Sequence, residues 1–187
     1  MVKEPRPGRV KTRLGRDIGH IPAAWWFRHQ VRKLLRRLGS SPKWQTILAV
    51  TPDRPGLESR VWPGHIRRMP QGTGDLGDRM ARVFRTALPG PVVIIGADIP
   101  GITQRDIDQA FQALGRADAV FGPAPDGGYW LIGLARHGAP VPAGLFRGTR
   151  WSTEHALSDT IASLPKHTRI ARIATLADVD TGADLQP

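Results

Sequence analysis

The chain has no cysteine among its 187 residues and a single tyrosine. Disulfides, thiolate zinc sites and cysteine nucleophiles are therefore excluded. No apolar run approaches the ~20 residues that a membrane-spanning helix requires. The opening Met1-Val2-Lys3-Glu4-Pro5-Arg6 lacks the hydrophobic segment of a secretory signal. These absences lead to the expectation of a cytoplasmic protein with no membrane span. The six histidines, His20, His29, His65, His137, His155 and His167, show no ligand spacing, and neither G-x-S-x-G nor H-E-x-x-H occurs. Hydrolase and zinc-enzyme readings lose most of their support. Acidic residues are few as well, 16 against 27 Lys and Arg, for a net charge of +11.

That charge is unevenly placed. Residues 1–44 hold 12 Lys and Arg against Glu4 and Asp17 alone, whereas the rest of the chain is nearly balanced. A basic amino-terminal quarter suits an anionic partner such as nucleotide phosphates, nucleic acid or a membrane surface. It equally suits a solvated face. A length of 187 residues fits one domain, 1–187, with a core of its own. No internal repeat, low-complexity tract or dividing linker interrupts it.

Two short hydrophobic runs carry the most information. Val92-Val93-Ile94-Ile95 leads into Gly96-Ala97-Asp98-Ile99-Pro100-Gly101, and Ala119-Val120-Phe121 leads into Gly122-Pro123-Ala124-Pro125-Asp126-Gly127-Gly128-Tyr129-Trp130-Leu131. Such β-branched runs read as buried strands halted by Pro and Gly. Asp98 and Asp126 are thus expected at the carboxyl ends of strands, the rim where open α/β sheets bind ligands. Either one is equally well a turn-former.

The remaining pattern alternates strands and helices. Residues Pro5–Arg16 read as a basic loop. A helix opening near Pro22 follows, its apolar stripe Phe27, Val31, Leu34 and Leu38 set among arginines. That stripe is expected to pack on a sheet rather than on a membrane. Strands are expected at 46–51, 65–69, 92–95, 119–122, 128–134 and 169–174, and 53–64 reads as loop. Helices are expected over 77–88, with Leu76, Met80, Val83, Phe84 and Ala87 inward, over 103–114 behind a Thr103 cap, and from a Ser152 or Thr153 cap to Leu164. Alternation of this kind indicates an α/β layered sheet.

Three motifs bear on chemistry. Gly72-Thr73-Gly74-Asp75-Leu76-Gly77 is a literal G-x-G-x-x-G, but the preceding His65–Pro70 segment is too polar for the buried strand of a dinucleotide-binding unit. A glycine-rich helix entry is the simpler reading, and it too offers N–H groups to an anion. Lys11-Thr12-Arg13 is not a Walker A sequence, yet Lys and Arg on a glycine-containing loop suit phosphate. Asp178-Val179-Asp180 places two carboxylates on one side of an extended chain, where they can address one hard divalent cation or merely cap a turn.

Taken in order, these segments resemble a bacterial family of GT-A-like transferases known as selenodomain-associated transferase 1. The matching pieces are Lys3 to Leu14, Gln71 to Met80, Gly96 to Gly101, Gly122 to Gly133, Trp151-Ser152-Thr153 and Asp178 to Thr181. The resemblance covers nearly the whole chain. It implies a Rossmann-like GT-A, nucleotide-diphosphosugar transferase fold: a three-layer sandwich on a mostly parallel mixed sheet. It also implies a metal-dependent transferase drawing on a nucleotide or nucleotide-sugar donor, glycosyltransferase-like, with a small-molecule acceptor.

Carried residue by residue, the resemblance implies phosphate binding by Gly8, Lys11 and Arg13, with Gln71, Gly72 and Gly74 near base or ribose. It implies Mg2+ or Mn2+ on Asp98 and Asp180, with Asp98, Lys11 and Arg13 as the catalytic set. Asp126, Gly127, Gly128, Tyr129 and Trp151 would line the acceptor side. Family members carry a hydrophobic first strand, whereas only Met1 and Val2 precede Lys3 here. The expectation is therefore a two- or three-residue first strand, through a late start or reduction to a stub. The alternatives are a guanylyltransferase-like nucleotidyltransferase of the same fold, an NAD(P)-dependent oxidoreductase using Gly72–Gly77, and a nucleic-acid-binding protein built on residues 1–44. The last lacks a recognisable reader motif.

Overall fold

The computed structural model describes residues 1–136, 138 and 140–185; His137 lies outside the described residues. The chain forms two compact units. The first comprises 1–71, 96–104 and 178–187, and the second 72–95 and 105–177.

The first unit holds a three-stranded parallel sheet in the order β1 (Val2–Lys3), β2 (Ile47–Thr51), β3 (Arg67–Pro70). Val2 stands opposite Val50, and Val50 opposite Pro70. The first strand has the two residues expected of it. Its helices are α1 (Thr12–Ile18), α2 (His20–Leu38) and the short α3 (Asp53–Glu58). The expected stripe of α2 is correct: Phe27, Val31, Leu34 and Leu38 are all buried.

Two segments read as loop are helical, and each hides from sequence for a physical reason. Helix α1 begins behind Lys11, which takes a left-handed conformation (φ 44°) and gives no side-chain cap. The Ser, Thr, Asp or Asn that would announce a helix start is missing. Gly15, which looks like a breaker, is buried where a Cβ would strike the His20 ring. Helix α3 carries Pro55 in its first turn, where a lost N–H is tolerated, and Gly56 packs onto Val50.

The second unit holds a mixed sheet in the order β4 (Val92–Ile95), β6 (Tyr129–Leu134), β5 (Ala119–Pro123), β7 (Ile170–Arg172). Strand β6 runs antiparallel to both neighbours, and β5 and β7 are parallel. Ala119, Val120, Phe121, Leu131 and Ile132 are almost fully buried, as their unbroken apolar sequence requires. Helices α4 (Leu76–Thr86), α5 (Gln104–Leu114) and α6 (Ala156–Ala162) complete the elements, α5 starting at Gln104, the end of the first unit's 96–104 segment.

Helix α4 buries Met80, Val83 and Phe84 as expected, but Leu76, at its first position, is exposed and Ala87 only half-buried. Helix α6 starts one turn later than expected. His155 is its N-cap, and the Thr153 hydroxyl instead accepts from the His155 N–H while donating to the Arg150 carbonyl.

Candidate functional site

Four of the functional residues expected in the first unit, Lys11, Arg13, Asp98 and Asp180, meet around one side chain. Lys11 has only 7% of its side chain exposed, and its Nζ lies 2.5 Å from Asp98 Oδ2, 3.0 Å from Asp180 Oδ1 and 3.4 Å from Asp178 Oδ2. Arg13 closes the far side, its Nη1 donating to Asp180 Oδ2 at 2.8 Å. The left-handed turn at Lys11 and the helix behind it place both cations on one approach to the carboxylates.

The acidic residues are held by the fold beneath them. Val179, between the two aspartates, points the other way and packs with Leu14 and Ala23, while Ile18 and Trp26 close over that cluster. Its N–H donates to the Asp98 carbonyl. Asp184 Oδ2 accepts from the N–H groups of Asp180 and Thr181 and from the Thr181 hydroxyl. Asp17 accepts from the Gly182 N–H, fastening the segment to α1. The alternation in Asp178-Val179-Asp180 thus puts an apolar side chain into the core and two carboxylates on the cation.

The electrostatics follow from that crowding. Burial works against the charge on Lys11, but Asp98, Asp180 and Asp178 outweigh it and hold the ammonium above its ordinary range. Burial raises Asp178, reinforced by the negative charges of Asp98 and Asp180 against the opposing pull of Lys11. Burial also works against Asp180, but its bonds to Lys11 and Arg13 win and hold it below the ordinary value. Among the described residues no three acidic or imidazole side chains stand ready around an open cation position. The point on which Asp98, Asp178 and Asp180 converge is filled by the protein's own ammonium.

The other expected site residues are placed as follows. Gly8 lies in the turn before α1 with open space where a Cβ would be. Gln71 is buried, and its Nε2 donates to the carbonyls of Val2 and Ala49. Gly72 and Gly74, in the second unit, have positive φ in a loop whose carbonyls are already held: Arg82 donates to Thr73 O and Arg79 to Gly74 O. The α4 N-terminus is closed by a capping box, Asp75 accepting from Asp78 N–H and Asp78 from Asp75 N–H.

Exposed Asp126 and half-buried Gly127 and Gly128 form the turn between β5 and β6, with Asp126 Oδ1 accepting from Gly128 N–H. Tyr129 stands edge-on to Phe121 with its hydroxyl 3.3 Å from Thr160 Oγ1, and burial raises its pKa. Trp151 packs on Phe146 beside Gly77, where a Cβ would crowd the Trp151 ring and the Phe146 Cβ.

Lys11, Arg13, Asp98 and Asp180 are therefore brought together. Asp178 joins them, as the two-residue spacing of Asp178-Val179-Asp180 allowed, although the resemblance implied only Asp98 and Asp180 as ligands. Asp17 and Asp184, which anchor the segment, carry no sequence signal.

Comparison with known proteins agrees with this architecture. Residues 34–153 match the model of a family described as "Uncharacterized protein conserved in bacteria (DUF2064)". A crystal structure from Desulfovibrio desulfuricans G20, described as a "putative nucleotide-diphospho-sugar transferase", superposes with a TM-score of 0.86 at 32% identity, over 98% of this chain and 81% of that one. No curated protein matches the sequence. The mixed α/β architecture is thus the Rossmann-like GT-A fold expected from sequence.

Proposed function

The chain belongs to the bacterial DUF2064 family and has a GT-A-like transferase fold, and from that premise we propose that it is a divalent-cation-dependent transferase drawing on a nucleotide or nucleotide-sugar donor. One observation carries the reading: three carboxylates from two distant chain segments converge on a single buried cation position beside an exposed guanidinium.

The donor set fits a hard dication. Mg2+ is commonly held by one or two carboxylates plus substrate phosphate oxygens, and here a cation, the Lys11 ammonium, already sits among such carboxylates. Asp98 and Asp180 would hold the ion, with Asp178 beside them. When bound, the ion would supply neutralisation of the donor's phosphate charge and polarisation of its oxygens. The chain's own residues do the rest. Arg13 presents a planar fork to phosphate. Lys11, once exchanged out of the carboxylates, adds a second positive charge where negative charge develops on a departing phosphate. Transfer at a phosphate ester demands chiefly positioning and charge neutralisation. Gln71, Gly72 and Gly74 remain the proposed base and ribose side, and Asp126, Gly127, Gly128, Tyr129 and Trp151 the proposed acceptor side.

Glycosyl transfer releases a nucleoside diphosphate, whereas nucleotidyl transfer from a triphosphate releases pyrophosphate. Assaying both products over a panel of donors, with Mn2+ and without, tests the reading and separates its two forms. Absence of any Mn2+-dependent nucleotide binding contradicts it.

A further inference from the structure

We propose that the outer face of α2 is a docking surface for an anionic membrane. The inference is independent of the transferase reading. The buried stripe of this helix is accounted for by the core, but its opposite side is not. Ile21 and Trp25, one turn apart, are 66% and 62% exposed. With Pro22, Trp26 and His29 they line one shallow apolar depression. His29 packs at a tilt against Trp25 with ring centroids 4.5 Å apart, and its Nδ1 lies 2.8 Å from the Trp25 carbonyl.

The cations continue the same line. Steps of three and four residues keep side chains on one side of a helix, and from Ile21, Trp25 and His29 those steps reach Arg32, Lys33 and Arg36, all exposed. The whole helix carries five Lys and Arg and no acid. Arg37 is spent elsewhere, donating to the carbonyls of Pro100 and Ile102. The strip therefore has an aromatic and aliphatic end followed by a cationic one. A tryptophan and an aliphatic side chain suit the headgroup boundary, and the cations suit anionic headgroups.

An anionic surface is the occupant the charge selects, because a helix without a single acid repels a basic partner. Ile21 and Pro22 favour lipid over nucleic acid: stacking on bases requires aromatic faces, and one face of Trp25 is already covered by His29. No helix among the described residues is long and apolar enough to cross a membrane, so the contact lies in the interface plane.

The test is co-sedimentation of the full chain with vesicles of phosphatidylcholine alone and with vesicles containing phosphatidylglycerol, followed in parallel by tryptophan emission. Binding is expected only to the anionic vesicles, with a blue shift that Trp25→Ser removes. Arg32→Gln, Lys33→Gln and Arg36→Gln should each weaken binding about fivefold, and salt should weaken it further. All four side chains are exposed, so these variants are expected to fold, and circular dichroism checks it. Failure of the wild-type chain to bind anionic vesicles overturns the proposal. So does unchanged binding by Trp25→Ser and the charge variants, or binding of a DNA oligonucleotide through these residues while vesicles stay unbound.

Discussion

Lys11 Nζ lies 2.5 Å from Asp98 Oδ2, so the residue that opens α1 and the loop after Ile95 are joined by one largely buried ion pair. A solvated carboxylate at the strand rim would tolerate conversion to Asn with little change in stability. With Asp98 only 27% exposed and bonded to a buried ammonium, a cost is now expected. Asp98→Asn should lose about 1–3 kcal/mol, below the full price of an unpaired buried charge because Asp178 and Asp180 remain. Urea denaturation measures it. No change in midpoint would mean that the pair contributes nothing to the fold.

The two aspartates on either side of Val179 should behave oppositely. Asp180 is held below its ordinary value of 3.8, so it stabilises the folded chain above that value and loses the contribution as pH falls through its folded pKa. Asp178 is raised from the same value, so its ionised form is disfavoured by folding and protonation relieves the cost as pH falls. At pH 7 Asp180→Asn should lower the melting temperature while Asp178→Asn leaves it unchanged or raises it. The Asp178 difference should fade as pH falls toward 3.8 and be gone there, whereas the Asp180 difference should fade only below 3.8. Melting curves across pH check the signs.

Gln71 donates to two buried carbonyls, Val2 O and Ala49 O. Gln71→Leu should therefore cost about 1–3 kcal/mol by leaving them unpaired. A variant as stable as the parent would return Gln71 to the role of a pure ligand contact.

The strands were legible because Val92–Ile95 and Ala119–Phe121 are short unbroken apolar runs, the second fully buried, that Pro and Gly halt. Helix α2 was legible because one stripe is apolar. Helix α1 was not: its start at Lys11 uses backbone geometry rather than a capping side chain. At the candidate site, the resemblance named Asp98, Asp180, Lys11 and Arg13 and implied that the two aspartates share one cation, but not that Lys11 itself would lie between them. An ammonium at the centre of three carboxylates is a product of tertiary packing between Lys11 and residues as far as 169 positions away along the chain, and no local pattern encodes it.

The Gly72–Gly77 loop should not hold a dinucleotide. The α4 N-terminus is occupied by the Asp75 and Asp78 carboxylates, which repel a pyrophosphate. Gly74, with φ 100° and the Asp78 side chain where a Cβ would go, should instead be a stability position: Gly74→Ala lowers the melting temperature. Saturable NADH binding abolished by Gly74→Val would reverse this assignment.

Lys11→Met removes the cation that fills the carboxylate trio. At pH 7 the variant should be destabilised, because Lys11 is held above its ordinary value of 10.5 and its contribution is fully present below that pH. Added Mn2+ should restore its melting temperature by more than it raises that of the parent. Equal effects of Mn2+ on both chains would mean that the ion and the ammonium do not share a position.

The most direct test is the stoichiometry of Mn2+ binding, read by electron paramagnetic resonance in the presence of a nucleoside diphosphate. One ion per chain is expected for the parent, lost in both Asp98→Asn and Asp180→Asn, with the paired thermal stabilisation of about 2.7 kcal/mol at a hundred times the dissociation constant lost as well. A full equivalent of Mn2+ retained by both variants would contradict the assignment of these carboxylates as the cation site.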